Sequence, residues 1–201
     1  MHVAIALYPK FTALDAVGPY TVLAYAPDTT VTFVAGEPGP VTDDRGTLTL
    51  TATAAFADLP RPDVVLVPGG PGTMEALQDE ALIGWIRAAH EHTRWTTSVC
   101  SGSFLLGAAG VLEGRQATSH WAVVDQLAAY GAQPVRERVV VQDKVVTAAG
   151  VSAGIDMALT LLATAAGEET ARAVQLAIEY DPQPPFPMDP AYTDQALKLL
   201  G

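Results

Sequence analysis

Three short stretches of this chain carry side chains or backbone groups that could do chemistry together, although they lie far apart in sequence. Cys100 is the only cysteine in 201 residues. It stands in Thr96-Thr97-Ser98-Val99-Cys100-Ser101-Gly102-Ser103-Phe104-Leu105-Leu106, where a β-branched run gives way to small residues and then to an apolar helical segment. Small residues flanking a nucleophile, here Ser98 and Gly102, permit the sharp strand-to-helix turn of a nucleophile elbow. A thiol held there stands at a helix N-terminus, where backbone N–H groups and the helix dipole favour thiolate over thiol. The competing reading is a buried, inert cysteine, the commoner state of a free thiol.

Asp15, in Phe11-Thr12-Ala13-Leu14-Asp15, follows the first apolar run. It either caps the helix that starts there or is a carboxyl within hydrogen-bond reach of the thiol, relaying a proton. Pro68-Gly69-Gly70-Pro71-Gly72 follows another β-branched run. Such a turn is either a tight connection or a set of donors, in which the N–H groups of Gly70 and Ser101 stabilise developing negative charge. Gly69 and Gly72 then flank the substrate. No Gly-Lys-Ser/Thr follows, so the turn does not match a phosphate loop. His120, in Ala117-Thr118-Ser119-His120-Trp121, is either a hydrogen-bonded structural histidine or a site residue that tunes the thiol. Phe11, Trp121, Val151 and Ile155 either line a substrate pocket or belong to the core. No metal site is expected, because His90 and His92 are two apart on a predicted helix and face different directions, and one cysteine cannot build a cysteine-based zinc site.

The elements that must position these groups alternate between short β-branched runs and longer helical ones. Strands are predicted at Val3–Leu7, Thr30–Ala35, Asp63–Val67, Arg138–Gln142 and Val145–Ala148, with a further strand ending at Cys100. A hairpin is predicted over Val41–Thr53, turning at Asp43-Asp44-Arg45-Gly46. Helices are predicted at Leu14–Tyr25, Asp79–His92, Trp121–Tyr130, Ser152–Ala166 and Glu168–Glu179, besides the one after the elbow. The prolines of Tyr180-Asp181-Pro182-Gln183-Pro184-Pro185-Phe186-Pro187 exclude a helix there. Alternating βα units imply a parallel sheet covered by helices on both faces. Ligands of such sheets bind outside the carboxyl ends of the strands. Asp15, the Gly69-Gly70 turn and Cys100 all follow such ends, so they are expected to converge on one crevice.

Bulk composition narrows the classes further. With 49% hydrophobic and 16% charged residues the chain reads as a compact fold rather than a disordered one. Its length suits one domain, residues 1–201. Eleven Lys and Arg against 22 Asp and Glu, a net charge of −11, argue against nucleic-acid binding, which neutralises phosphates with basic side chains. The N-terminus lacks the basic leader of a signal peptide. No apolar stretch approaches the roughly 20 residues of a membrane span, so no membrane association is expected and a cytoplasmic location is. One cysteine excludes an internal disulfide.

At this point the residues resemble a known family. Leu14-Asp15-Ala16-Val17-Gly18-Pro19, the Val67-Pro68-Gly69-Gly70-Pro71-Gly72 turn, the Val99-Cys100-Ser101-Gly102-Ser103 elbow and Ala117-Thr118-Ser119-His120-Trp121 are similar to the PfpI-like, class I glutamine-amidotransferase-like superfamily. Gly150-Val151-Ser152-Ala153-Gly154-Ile155-Asp156 and the tail Glu179-Tyr180-Asp181-Pro182-Gln183-Pro184-Pro185-Phe186 narrow the resemblance to its isonitrile hydratases. It covers roughly Val3 to Pro190. The resemblance implies a flavodoxin-like, three-layer α/β/α sandwich with a mainly parallel sheet and a nucleophile elbow, a homodimer, and no cofactor. It also implies hydration of a small-molecule isonitrile, R–N≡C, to an N-substituted formamide. Cys100 and Asp15 carry over as the catalytic pair. Ser101 stands where those enzymes usually have threonine, keeping the hydroxyl and losing the methyl. The expected course is a covalent cysteine thioimidate, with Gly70 and Ser101 N–H groups as charge stabilisers and Gly69, Gly72, His120 and Ile155 toward the substrate. The alternatives are glyoxalase or deglycase chemistry with the same thiol, a ligand-sensing domain of the kind fused to helix-turn-helix regulators, and a redox sensor. Strong negative charge and the lack of a basic helical extension weigh against the second, and the lack of a resolving cysteine limits the third to an intermolecular disulfide.

Overall fold

The structure, a computed structural model, describes residues 1–200. The strands are β1 (His2–Ala6), β2 (Thr30–Ala35), β3 (Gly39–Thr42), β4 (Thr49–Ala52), β5 (Ala54–Ala55), β6 (Val64–Val67), β7 (Trp95–Val99), β8 (Gln116–Ala117), β9 (Gln133–Pro134), β10 (Val139–Gln142) and β11 (Val145–Ala148). The helices are α1 (Ala13–Leu23), α2 (Thr73–Ala76), α3 (Glu80–His90), α4 (Gly102–Ala108), α5 (Ala153–Ala166), α6 (Glu168–Ala177) and α7 (Thr193–Leu200). Seven strands form the main sheet in the order β10-β11-β7-β6-β1-β2-β5, all parallel except β10, which pairs antiparallel with β11. β6, Val64-Val65-Leu66-Val67, is buried along its whole length. An unbroken apolar run is what a parallel strand needs when both its faces are covered.

The chain runs outward from β1 to β2, then returns to β6 on the other side of β1 and runs outward again through β7 to β11. With right-handed crossovers, this reversal puts the helices of the two halves on opposite faces. Accordingly α1 packs on α5, and α3 on α4. The expected three-layer, flavodoxin-like arrangement is therefore present. The reversal also opens a crevice at the carboxyl ends of β1, β6 and β7, which are neighbours in the sheet.

Some local expectations are corrected. Trp121–Tyr130 does not form an α-helix; a 3-10 helix covers Val124–Tyr130 and ends at Gly131, whose φ is +73°. The preceding residues are consumed by a turn built on His120, whose carbonyl accepts from Val123 N–H at 2.9 Å and whose Nδ1 accepts from Ala122 N–H at 3.3 Å. The hairpin β3–β4 stands apart from the main sheet, and its loop spans residues 43–48. Asp43 holds that loop by accepting from Thr47 and Leu48 N–H, both at 3.1 Å. Ser152 and Asp79 precede their helices rather than joining them, and Asp79 caps α3 through Ala81 and Leu82 N–H. The proline-rich tail is non-helical as expected, but α7 follows it. No described helix is long and apolar enough to cross a membrane.

Candidate active site

Cys100 follows β7 directly and has φ +57°. This left-handed conformation costs a non-glycine residue about 1–3 kcal/mol and must be held by its surroundings. Hydrogen bonds to both its N–H and its carbonyl hold it. The Cys100 N–H donates to the carbonyls of Ala148 and Ala149, at 3.1 and 3.2 Å, at the end of β11. The Cys100 carbonyl accepts from the hydroxyls of Ser103 at 3.0 Å and Ser119 at 2.9 Å. Gly102 lets α4 start against the end of β6, since a Cβ there would lie 2.2 Å from the Val67 carbonyl oxygen. The nucleophile elbow expected from the small residues is present.

Asp15, in the first turn of α1, is fully buried. It is not the helix cap, a position that Thr12 occupies. Its Oδ2 accepts from Gly69 N–H at 2.9 Å, while its Oδ1 has no hydrogen-bond partner among the described residues. Burial pushes the Asp15 pKa up to about 7, with the Asp44 carboxylate adding to the rise and the Gly69 N–H and the Cys100 side chain opposing it. Burial likewise pushes the Cys100 thiol up to about 12, aided by the charge of Asp15 and opposed by the N–H and the side chain of Ser101 and by the Val151 N–H. The expectation that the helix N-terminus favours the thiolate is thus overturned. Desolvation and a neighbouring carboxylate outweigh the two N–H groups and the Ser101 side chain.

The glycine turn has a different job from the expected one. Gly70 N–H donates to Ser101 Oγ at 3.0 Å and is not free to stabilise substrate charge. Gly69 serves Asp15 instead of substrate, and a Cβ on it would sit 2.5 Å from Ser101 N. Gly72 packs against the loop after β1, where a Cβ would lie 2.0 Å from the Pro9 carbonyl, and it does not line the thiol cavity. The N–H groups that act on the sulfur belong to Ser101 and Val151.

The thiol opens into a cavity of about 450 Å³ walled by Thr12, Met74, Phe104, Val123, His120 and Val151, among others. A recess of about 590 Å³ lies beyond His120 and Val151, against Leu14, Trp121 and Arg136. It is the larger of the two but does not reach Cys100, so the chemistry belongs to the smaller. His120 lines both and is backed tightly by Gly150, and burial lowers its pKa. Ile155 lines neither; it packs on α1, its Cγ1 lying 3.1 Å from where a Gly18 Cβ would stand. Phe11 is fully buried core. Among the described residues, no three His, Cys, Asp or Glu side chains cluster as metal ligands.

Two residues at the site carry no mark in the sequence analysis, Tyr8 and Thr73, and two that appear there have roles it did not assign, Ser119 and Val151. Ser119, beside His120, holds the elbow carbonyl. Val151 has φ +21°, an outlier for a β-branched residue. Of its two sequence readings, pocket or core, the structure gives the pocket, since Val151 lines both cavities; its place between the end of β11 and the start of α5 is the same kind of strand-to-helix junction that drew attention to Cys100.

The chain matches the model of the DJ-1/PfpI family over residues 1–164. It is 46% identical over 186 residues to an isonitrile hydratase from Pseudomonas putida, an alignment covering 92% of this chain and 81% of that protein. A solved ThiJ/PfpI family protein from Pseudomonas syringae superposes with a TM-score of 0.94 at 38% identity, covering 99% of this chain and 85% of that one. Similarity to a glutathione-independent glyoxalase from Caenorhabditis elegans is weaker, 26% over 107 residues, covering 53% of this chain and 57% of that one.

Proposed function

The chain belongs to the DJ-1/PfpI family, and from that premise we propose that it is an isonitrile hydratase, adding water to R–N≡C to release an N-substituted formamide. The observation that carries this reading is the coupling of one thiol to one buried carboxyl whose pKa lies near neutrality. An isonitrile places both demands on a single atom, since its terminal carbon must gain a nucleophile and a proton. A thiol and carboxylate that share one proton supply both.

In the first step Asp15 takes the Cys100 thiol proton as the sulfur bonds to the terminal carbon, and it returns that proton to the same carbon. The product is R–N=CH–S–Cys100. The Asp15 carboxylate then accepts a proton from water as the water oxygen attacks that carbon, and it passes that proton to the nitrogen, which returns it to the carboxylate form. The tetrahedral R–NH–CH(OH)–S–Cys100 collapses by breaking its C–S bond, giving R–NH–CHO, and the hydroxyl proton passes through Asp15 to the sulfur. Ser101 and Val151 N–H groups stabilise the sulfur's negative charge as it attacks and leaves. Among the cavity walls, Met74, Phe104, Val123 and Val151 offer an apolar seat for R.

The test is formamide production from a panel of isonitriles, with methylglyoxal assayed beside them. Cys100→Ala should retain the native circular dichroism spectrum and lose hydration entirely. Turnover surviving in that variant removes the covalent route, and turnover of methylglyoxal alone transfers the protein to the glyoxalase reading. We also read residues 1–201 as one domain that works as a homodimer. Support for the dimer comes from large apolar side chains left exposed on one monomer, Leu176, Phe186, Met188 and Leu199 among them. Sedimentation equilibrium at micromolar concentration checks it.

A further inference from the structure

Asp44 is a second carboxylate at the site, required neither by the loop that carries it nor by the hydration steps. It lies in the loop after β3, is half-buried, and lines the thiol cavity. Asp43 already makes the side-chain hydrogen bonds that hold that loop. Asp44 is bound instead to the segment that leads into α1. Its N–H donates to the Phe11 carbonyl at 2.9 Å, and its Oδ2 accepts from the Thr12 hydroxyl at 3.1 Å. Thr12 joins the two acids, because its carbonyl accepts from Asp15 N–H at 3.1 Å. Thr12 is anchored from the other side as well. Its N–H donates to the Gly69 carbonyl at 2.8 Å, and Gly69 N–H in turn binds Asp15 Oδ2. One short network thus holds the two carboxyl groups in fixed relation.

The charge on Asp44 is not cancelled by a partner. The ion pairs among the described residues leave it out, and they also leave out Arg45, which follows it and lines the same cavity. The other groups facing Asp15 bring no positive charge. Cys100 comes from the elbow and Gly69 from the turn after β6. Tyr8, beyond β1, donates to the Pro68 carbonyl at 2.7 Å and lies 3.0 Å from Thr73 Oγ1, which is 2.8 Å from Ser101 Oγ. Burial raises the Tyr8 pKa still further above its ordinary value, so the phenol keeps its proton. A like charge beside a desolvated carboxyl opposes its ionisation.

We propose that Asp44 is a positioning residue for the catalytic acid: fixed by Thr12 at the wall of the thiol cavity, its carboxylate acts through space to hold a proton on the Asp15–Cys100 pair into the neutral range. Burial is the larger cause of that retention and Asp44 the smaller, so removing the charge moves the titration without abolishing it. Only the consequence for turnover rests on the hydratase reading; the titration itself is read without substrate.

Asp44→Asn removes the charge and keeps an oxygen that accepts from the Thr12 hydroxyl, so the network survives. Gly69 N–H reports on Asp15, because its amide resonance follows the charge on the carboxyl oxygen 2.9 Å away. NMR titration of the nitrogen-15-labelled intact protein should place the Gly69 midpoint lower by roughly half a pH unit in Asp44→Asn than in the native protein. Asp44→Glu restores the charge and should recover most of that difference. With an isonitrile as substrate, the rising limb of kcat/KM should move by the same amount. The value at pH 6, relative to its own plateau, then rises about two- to threefold in Asp44→Asn. A Gly69 midpoint common to the native protein and Asp44→Asn overturns the proposal. So does an equal shift in Asp44→Glu, which would mean a loosened loop instead of a lost charge. If the midpoint moves in Asp44→Asn alone while no isonitrile is turned over, the role of Asp44 stands and the hydratase reading falls.

Discussion

Cys100 and Asp15 titrate as a pair, because the Asp15 charge raises the thiol and the Cys100 side chain hydrogen-bonds the carboxyl. Below pH 7 the pair holds two protons, and from about 7 up to about 12 it holds one. Hydration needs the one-proton form, in which the carboxylate can accept what the thiol gives up. The expected kcat/KM for an isonitrile therefore rises with pH through about 7 and then stays level across the accessible alkaline range. Asp15→Asn should remove that rising limb and lower kcat/KM by a factor on the order of 10³, the middle of what a positioned acid–base group contributes. A pH–rate profile of both proteins decides it, and a limb surviving in the variant would assign it to another group. Both members of the pair are legible in the sequence, one as a lone cysteine at an elbow and the other as an acid after a strand. The donor role assigned to Gly70 N–H was not a safe reading, because its orientation toward Ser101 depends on two loops meeting in space. Tyr8, Thr73 and the backbone role of Val151 were silent for a related reason. Tyrosine, threonine and valine at strand and helix ends are ordinary, and only their oxygen-to-oxygen distances or dihedral angles mark them.

The elbow works because two elements touch with nothing between them. α4 begins where β6 ends, and Gly102 is the point of contact. Gly102→Ala puts a methyl 2.2 Å from the Val67 carbonyl oxygen and 2.7 Å from that of Pro68, both of them backbone atoms that cannot rotate aside. The start of α4 must then lift off the sheet, and overpacking of this kind costs about 3 kcal/mol. Urea unfolding should show that loss, together with an activity loss greater than stability alone explains, because Cys100 is carried on the same turn. Ser119→Ala should act more gently. Removing one of the two hydroxyls on the Cys100 carbonyl costs about 1 kcal/mol and relaxes the strained φ. The principal strands and helices of this framework were readable from β-branched runs and helical spacing. The short β5, β8 and β9 were not, since two residues show no period. The 3-10 helix at Val124–Tyr130 passed for an α-helix because its apolar spacing fits both, and the difference lies in the turn that His120 imposes before it.

At the scale of the whole molecule, the active site weakens the fold that carries it. An Asp15 pKa raised from 3.8 to about 7 means that the native state binds this proton more tightly than the unfolded chain does. Stability from this group is fully present below about pH 3.8 and is lost as pH rises through about 7. Above that pH, the native protein bears a buried charge that costs it about 4 kcal/mol relative to a freely hydrated carboxylate. Asparagine at position 15 keeps the shape and an acceptor for Gly69 N–H but never ionises. Chemical denaturation of the native protein and Asp15→Asn, compared at pH 5 and pH 8, should show the variant gaining on the native protein by roughly 2–3 kcal/mol between the two. The many exposed carboxylates of this acidic chain are common to both proteins and cancel in the comparison. If the stability difference stays constant between the two pH values, Asp15 titrates near its ordinary range, and the shared-proton reading of the thiol pair falls with it. If it widens as expected, the acid that serves Cys100 is held in place by the rest of the structure at a measurable loss of stability.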